Sequence, residues 1–347
     1  MTEPLVSHGP ENPRWERPWW RWLLKPLLLL AISIAVGIVI VRFVGVIDWA
    51  EVASAFARLS WWQFGPLVAV LLVRRVLNAV PLSQYVEGMT LGRSLQNDLA
   101  ANLLATISPP PGGEVMRVAM FSSWSVSVVD GLAGVTLNKL TFYSVRLLMP
   151  TIGLIVLAIV GAESGYLGLT VLFGVLAVAI VAGLLAVLAQ ERWAVLVGRI
   201  AASAAQRLRR EADPQQWSQA VVDFRSRVSS ELPGKLTRSM VALILMVIAD
   251  AMILTLAIRF TGIGPDLLPL LLIVGTFCTA YPLTVMPLSG FGVLDATLLA
   301  AFTQVAGLEY EPSIVAALAI WRGVTLLGSL LLGVIATLYW RWHTRTG

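Results

Sequence analysis

The residues with chemistry to offer are charged side chains set among apolar ones. Glu114 and Arg117 follow the run Thr106–Gly113, which reads Thr-Ile-Ser-Pro-Pro-Pro-Gly-Gly. They are three apart, so a restarting helix puts them on one face. Asp295 follows a similar run, Pro287-Leu288-Ser289-Gly290-Phe291-Gly292. Beyond each run, a long apolar segment carries a cation, Lys139 in the first half and Arg322 in the second. A charge at the centre of a membrane helix costs about 2.5–3.5 kcal/mol on insertion scales, so these cations need partners or water. The chemistry they suit is electrostatic. Lys139, Arg322 and Arg117 would line a polar groove and hold the phosphate of a lipid headgroup. The competing reading is structural: internal ion pairs that fix helices against one another. Glu114 and Asp295 likewise have a second use, as first-turn carboxylates that stabilise a helix start.

Positioning such a groove requires broken helices. Pro109, Pro110 and Pro111 lack backbone donors and bias their predecessors away from helical angles. Gly112 and Gly113, like Gly290 and Gly292, open conformations closed to other residues. Non-helical backbone at membrane depth persists where it is buried in protein or lines a wet cavity. A helix restarting there aims unpaired N–H groups and partial positive charge at that cavity, where an anion can dock.

Other polar residues in apolar runs are Asp98, Asn102, Asp130, Asn138, Arg146 and Asp250. Lys139 and Arg146 are seven apart, on nearly the same face, whereas Asp130 faces elsewhere. Arg74 and Arg75 are expected to snorkel from the end of their span to the interface. No enzyme is indicated. The two histidines, His8 and His343, sit in polar tails, which disfavours histidine-based acid–base catalysis. The sequence has no HExxH, GxSxG or P-loop. Its single cysteine, Cys278, excludes an internal disulfide and a cysteine-cluster metal site. No cofactor or metal is expected.

The elements holding these residues are membrane helices. The chain of 347 residues is 57% hydrophobic and 13% charged, with mean hydropathy +0.80. That is about half the charged fraction of a soluble domain, and the apolar residues fall in runs of about 20, enough to cross a bilayer. The fold class is therefore an all-α polytopic integral membrane protein of about eight to ten transmembrane or half-transmembrane helices, with two Pro/Gly-broken helices and the pattern of an inverted repeat. The net charge of +5 points to anionic lipid rather than nucleic acid, because the Lys and Arg sit largely between apolar runs.

Four regions follow. Residues 1–22 form a disordered basic and aromatic tail, at whose end Trp15, Trp19, Trp20 and Trp22 interleave with Arg14, Arg17 and Arg21, and with Lys25 just beyond. Residues 23–190 form the first transmembrane half. It opens with an uncleaved span at Leu23–Phe43, followed by a surface helix at Val46–Ser60 and a span at Trp61–Val80. Val126–Val160 is long enough for two spans meeting near Pro150, and Leu167–Ala189 is a further span. Residues 191–238 form a polar connection with nine of the 25 Lys and Arg against five acidic residues, cytoplasmic by the positive-inside rule and closed by Pro233 and Gly234. Residues 239–342 form the second half. An even number of crossings places the N-terminus in the cytoplasm of a bacterial cell.

Asn102 through Arg117, with its Pro-Gly-Gly-Glu…Arg, and Pro287 through Arg322, with its Pro…Gly-x-Gly…Asp and later Trp-Arg-Gly, resemble the flippase-like family that includes the transmembrane region of lysylphosphatidylglycerol synthase. The likeness runs over nearly the whole chain after Leu23. Family members typically place Glu after the Gly-x-Gly, where this chain has Asp295. The resemblance implies movement of a lipid or lipid-linked amphiphile between leaflets. The soluble aminoacyl-transferase domain of the full synthase is not expected within this chain, which runs to Gly347 soon after its last span. Substrate-binding candidates are Glu114, Arg117, Lys139, Asp295, Arg322, Gly112, Gly113, Gly290 and Gly292. The expected partners are membrane lipids, with a protein partner or a second copy also open. Two other classes remain: a non-transporting accessory protein that binds lipid or an enzyme, and an intramembrane lipid-linked transferase using Glu114 with Asp130.

Overall fold

The computed structural model describes residues 60–108, 111–161, 232–286 and 290–346, together with 175 and 179. The expected tail, first span and surface helix, nearly all of the span at 167–189, most of the basic connection, and Pro109, Pro110 and Pro287–Ser289 lie outside these residues. Among the described residues there are helices and no strands.

Helix α1 (Trp61–Tyr85) starts where the Ser60 N–H donates to the Gln63 side chain at 2.8 Å. Helix α2 (Leu91–Ile107) is capped by the Thr90 hydroxyl, which accepts from the Arg93 N–H at 3.3 Å. A short break leads to α3 (Gly112–Ser123). Helix α4 (Val128–Ile159) begins at Ser127, whose hydroxyl accepts from the Asp130 N–H at 3.4 Å. The second half repeats the order. Helix α5 (Leu232–Phe260) is long, and α6 (Leu270–Ala280) runs into a 3-10 turn at Tyr281–Val285. After the second break comes α7 (Val293–Ala306). Helix α8 (Glu311–Arg322), a π segment (Gly323–Leu327) and α9 (Gly328–Thr346) then form one continuous rod. Among the described residues, α1, α4, α5 and the α8–α9 rod are long and apolar enough to cross a membrane.

Two boundaries differ from the sequence reading. Residues 128–159 form one helix with Pro150 inside it, not two spans. A proline removes one ladder bond, and neighbouring helices tolerate that loss in a bundle. Here Pro150 is buried and α4 lies along α6. Pro233 and Gly234 fall in the first turn of α5 rather than closing a loop. Proline suits that position, where the N–H has no helical acceptor.

The two halves are related by inversion. Helices α1 and α5 pack along one another with the Trp62 ring against Phe260, Arg74 against Asp250 and Tyr85 near Leu236, so they run antiparallel. Helix α4 packs on α6, and α9 on α2. A Cβ on Gly153 would meet the Gly275 oxygen at 2.6 Å and the Thr279 nitrogen at 2.5 Å, whereas one on Gly333 would meet the Leu99 oxygen at 2.8 Å. The spacing from Gly153 to Gly333 equals that from Leu99 to Thr279, so these are the same contact made twice. The broken pairs α2–α3 and α6–α7 therefore approach from opposite ends of the bundle. The largest core surrounds α5, where Met246, Ile253 and Leu254 pack with Phe277 of α6, Phe302 of α7 and Trp321 of α8.

Candidate functional site

In the second half the break sets up a buried ion pair. Gly290 and Gly292 have φ +73° and +88°, angles that side-chain-bearing residues rarely adopt. A Cβ on Gly290 would also meet the Leu283 oxygen at 2.5 Å. This backbone delivers Asp295 to the third position of α7, where its carboxylate accepts the Gly292 N–H at 2.8 Å and faces the positive helix end. Arg322 of α8 closes on it with two bonds, Nε at 2.7 Å and a terminal nitrogen at 3.0 Å. The guanidinium lies over Trp321 (4.3 Å) and Phe291 (5.7 Å). A π segment, a feature frequent at functional sites, starts directly after Arg322.

The first half makes the same arrangement with a looser seal. Glu114 is the third residue of α3, and Lys139 of α4 donates to it at 2.5 Å. Their side chains are 41% and 55% exposed, against 11% for Asp295 and 9% for Arg322. Gly112 and Gly113 lie inside the first turn of α3, so they do not supply unusual angles. Gly113 serves close packing instead, since a Cβ there would meet the Ala101 oxygen at 2.9 Å. Arg117, one turn on, donates to Asn97 at 2.9 Å and to Asp98 at 3.1 Å, and Asn78 of α1 donates to Asp98 at 2.7 Å.

The expected cations are thus placed in ion pairs, each with a carboxylate of its own half. Lys139 holds Glu114, Arg117 holds Asp98 and Arg322 holds Asp295. The expected pocket where the two breaks join would be lined by their tips, Pro109, Pro110 and Pro287–Ser289, which lie outside the described residues. Among the described residues α3 packs on α2 and α4, α7 packs on α6 and α8, and α3 and α7 make no extensive contact.

A third group was missed from the sequence. Arg74 and Arg75 sit in the body of α1, not at its interface end, because the helix continues to Tyr85. Arg74 donates to Asp250 of α5 at 2.9 Å, and the Trp321 indole N–H donates to the other oxygen of Asp250 at 2.9 Å. Arg75, 8% exposed, donates to the Ser329 hydroxyl. Arg146 of α4 lies over the rings of Phe142 (4.6 Å), Tyr143 (5.4 Å) and Tyr281 (5.9 Å). Asp250 and Arg74 are also electrostatic neighbours of Tyr281. The signal was present: adjacent arginines in an apolar run need partners, and an aspartate midway along another span is the natural one.

Among the described residues no group of three or more His, Cys, Asp or Glu could hold a metal ion. The arrangement joins neighbouring helices through ion pairs. A family model described as the lysylphosphatidylglycerol synthase TM region matches residues 28–333. A search of curated proteins finds no match.

Proposed function

The chain belongs to the lysylphosphatidylglycerol synthase transmembrane-region family, and from that premise we propose that it carries a lipid or lipid-linked amphiphile between membrane leaflets, without catalysing a covalent step. One observation carries the reading. Equivalent carboxylate–cation pairs, 25 and 27 residues apart in sequence, join the short helix to the following long helix in both inverted halves, one half exposed and the other buried. Inverted repeats with interrupted helices are the architecture of alternating access, in which one half closes as the other opens. In this reading the Asp295–Arg322 pair seals its end while the Glu114–Lys139 pair stands open, and the two exchange roles during a cycle. Gly112, Gly113, Gly290 and Gly292 let the short helices seat closely enough for each pair to form. The setting is a bacterial cell membrane, with the N-terminus in the cytoplasm.

The test is lipid movement in proteoliposomes, read by quenching of headgroup-labelled lipid in the outer leaflet. The wild type should speed exchange of anionic lipid over protein-free vesicles. Lys139→Ala should slow it while keeping the unfolding midpoint, and the exchanged pair Glu114→Lys with Lys139→Glu should restore most of the rate. Wild-type protein that leaves exchange at the protein-free rate would overturn the proposal. A second reading has its own support. Every expected cation is already neutralised by a carboxylate, as in a rigid scaffold, which favours a lipid-binding accessory protein that co-purifies with an enzyme and moves nothing.

A further inference from the structure

Four interior arginines, Arg74, Arg75, Arg117 and Arg146, stand with two aspartates, Asp98 and Asp250. Asp98 is engaged by Arg117 and Asn78, and Asp250 by Arg74 and Trp321. Arg75 and Arg146 therefore carry charge that no ion pair among the described residues cancels. Their Nε atoms are buried with no acceptor among the described residues. Arg75 donates to the Ser329 hydroxyl, which carries no countercharge. The three rings around Arg146 attract it through their faces, but they carry no countercharge either. An arginine inside a membrane bundle without an ion-pair partner is a candidate place for an anion.

The surroundings say which anion. Arg146 lies over the Tyr281 ring. Lys139, Tyr143 and Arg146 follow one another at helical spacing along α4, and Leu140 and Tyr143 on that helix are exposed. A ligand reaching Arg146 would pass charged and apolar groups together, as a headgroup with acyl chains requires. We propose that Arg146 binds the phosphate oxyanion of an anionic lipid headgroup, approached along the Lys139–Tyr143–Arg146 strip of α4. The inference rests on the lipid-carrier reading for its ligand class, but it places the charge at a residue apart from the two repeat-related ion pairs.

Native mass spectrometry of the purified full chain tests it, with phosphatidylglycerol and phosphatidylcholine added in turn. Phosphatidylglycerol should bind preferentially to the wild type. Losing a charged hydrogen bond costs about 1.5–3 kcal/mol, so Arg146→Gln should weaken that binding by about tenfold or more. Arg146→Lys should keep most of it. The unfolding midpoint checks that both Arg146 variants fold. Phosphatidylglycerol binding to folded Arg146→Gln as to the wild type overturns the site. Inorganic phosphate displacing the lipid at equal concentration overturns the lipid assignment. The proteoliposome assay separates the two proposals. Wild-type transport with unchanged binding by Arg146→Gln sinks the site alone, while wild-type binding through Arg146 without transport sinks the carrier reading alone.

Discussion

At the scale of the residue, two ion pairs of the same design should behave very differently when broken. Arg322 grips Asp295 with two bonds inside a seal of Trp321 and Phe291. Removing one partner of a buried pair strands the other charge, at a cost of about 3–5 kcal/mol. Asp295→Asn should therefore lower the unfolding midpoint in detergent substantially, and combining it with Arg322→Gln should recover part of the loss by removing the stranded cation. The Glu114–Lys139 pair is about half exposed, and an exposed pair contributes about 0.2–1 kcal/mol. Glu114→Gln should leave the midpoint nearly unchanged. Similar losses from Asp295→Asn and Glu114→Gln would show that the burial contrast has no energetic weight. The short stem of Asp295 fits its double duty: it reaches Arg322 and still accepts the Gly292 N–H. The sequence pointed to both carboxylates and both cations, but not to their pairing, because spacings of 25 and 27 residues lie far beyond one helix face.

At the scale of the element, the helix seams are set by glycines that the sequence did not single out. Gly153 and Gly333 sit where α4 meets α6 and α9 meets α2, with no room for a methyl group. Close approach at small residues is how membrane helices associate without a hydrophobic drive between them. Gly153→Ala and Gly333→Ala should each destabilise by about 1–3 kcal/mol, the usual cost of overpacking. Gly65 is helical too, yet nothing lies within 4 Å of its added Cβ. Gly65→Ala should be neutral or stabilising by up to about 1 kcal/mol. Equal effects at Gly65 and Gly153 on the unfolding midpoint would refute the seam assignment. Long apolar runs made α1, α5 and the α8–α9 rod legible in sequence, and the proline and glycine clusters marked the breaks. Pro150 misled because a local rule against proline in helices was applied where tertiary packing overrides it. Arg74 and Arg75 misled because an apolar run shows its length but not its ends; α1 continues to Tyr85, five residues past the expected edge at Val80.

At the scale of the whole molecule, inversion makes a claim about sides. Helices α1 and α5 are counterparts that run antiparallel, with Trp62 beside Phe260 at one end and Tyr85 near Leu236 at the other. If both cross the bilayer, the start of α1 and the end of α5 share one face, while the end of α1 and the start of α5 share the opposite face. The chain is well suited to test this, because its one cysteine, Cys278, is fully buried, and Cys278→Ser gives a background without thiols. Ser60→Cys and Asp266→Cys sit at exposed positions on the first face, and Glu87→Cys and Gly234→Cys at exposed positions on the second. In intact cells a membrane-impermeant maleimide should label one of these pairs, and the other pair only after permeabilisation. Labelling of Ser60→Cys together with Glu87→Cys from outside would mean that α1 does not span, and the inverted arrangement would then be a packing symmetry without a transmembrane meaning. The cations also break the symmetry that the backbone keeps. Arg74, Arg75, Arg117 and Arg146 all belong to the first half, whereas Asp250, Trp321 and Tyr281 come from the second. In the proposed carrier reading, the positive centre comes mainly from the first half. Moving one side chain across the repeat is therefore informative: Arg146→Gln should slow anionic-lipid exchange more than Lys139→Gln, since Lys139 is matched by Glu114 and Arg146 by no carboxylate among the described residues. Equal slowing by both in the proteoliposome assay would place the field in the paired ladder as a whole and not in the unmatched charge.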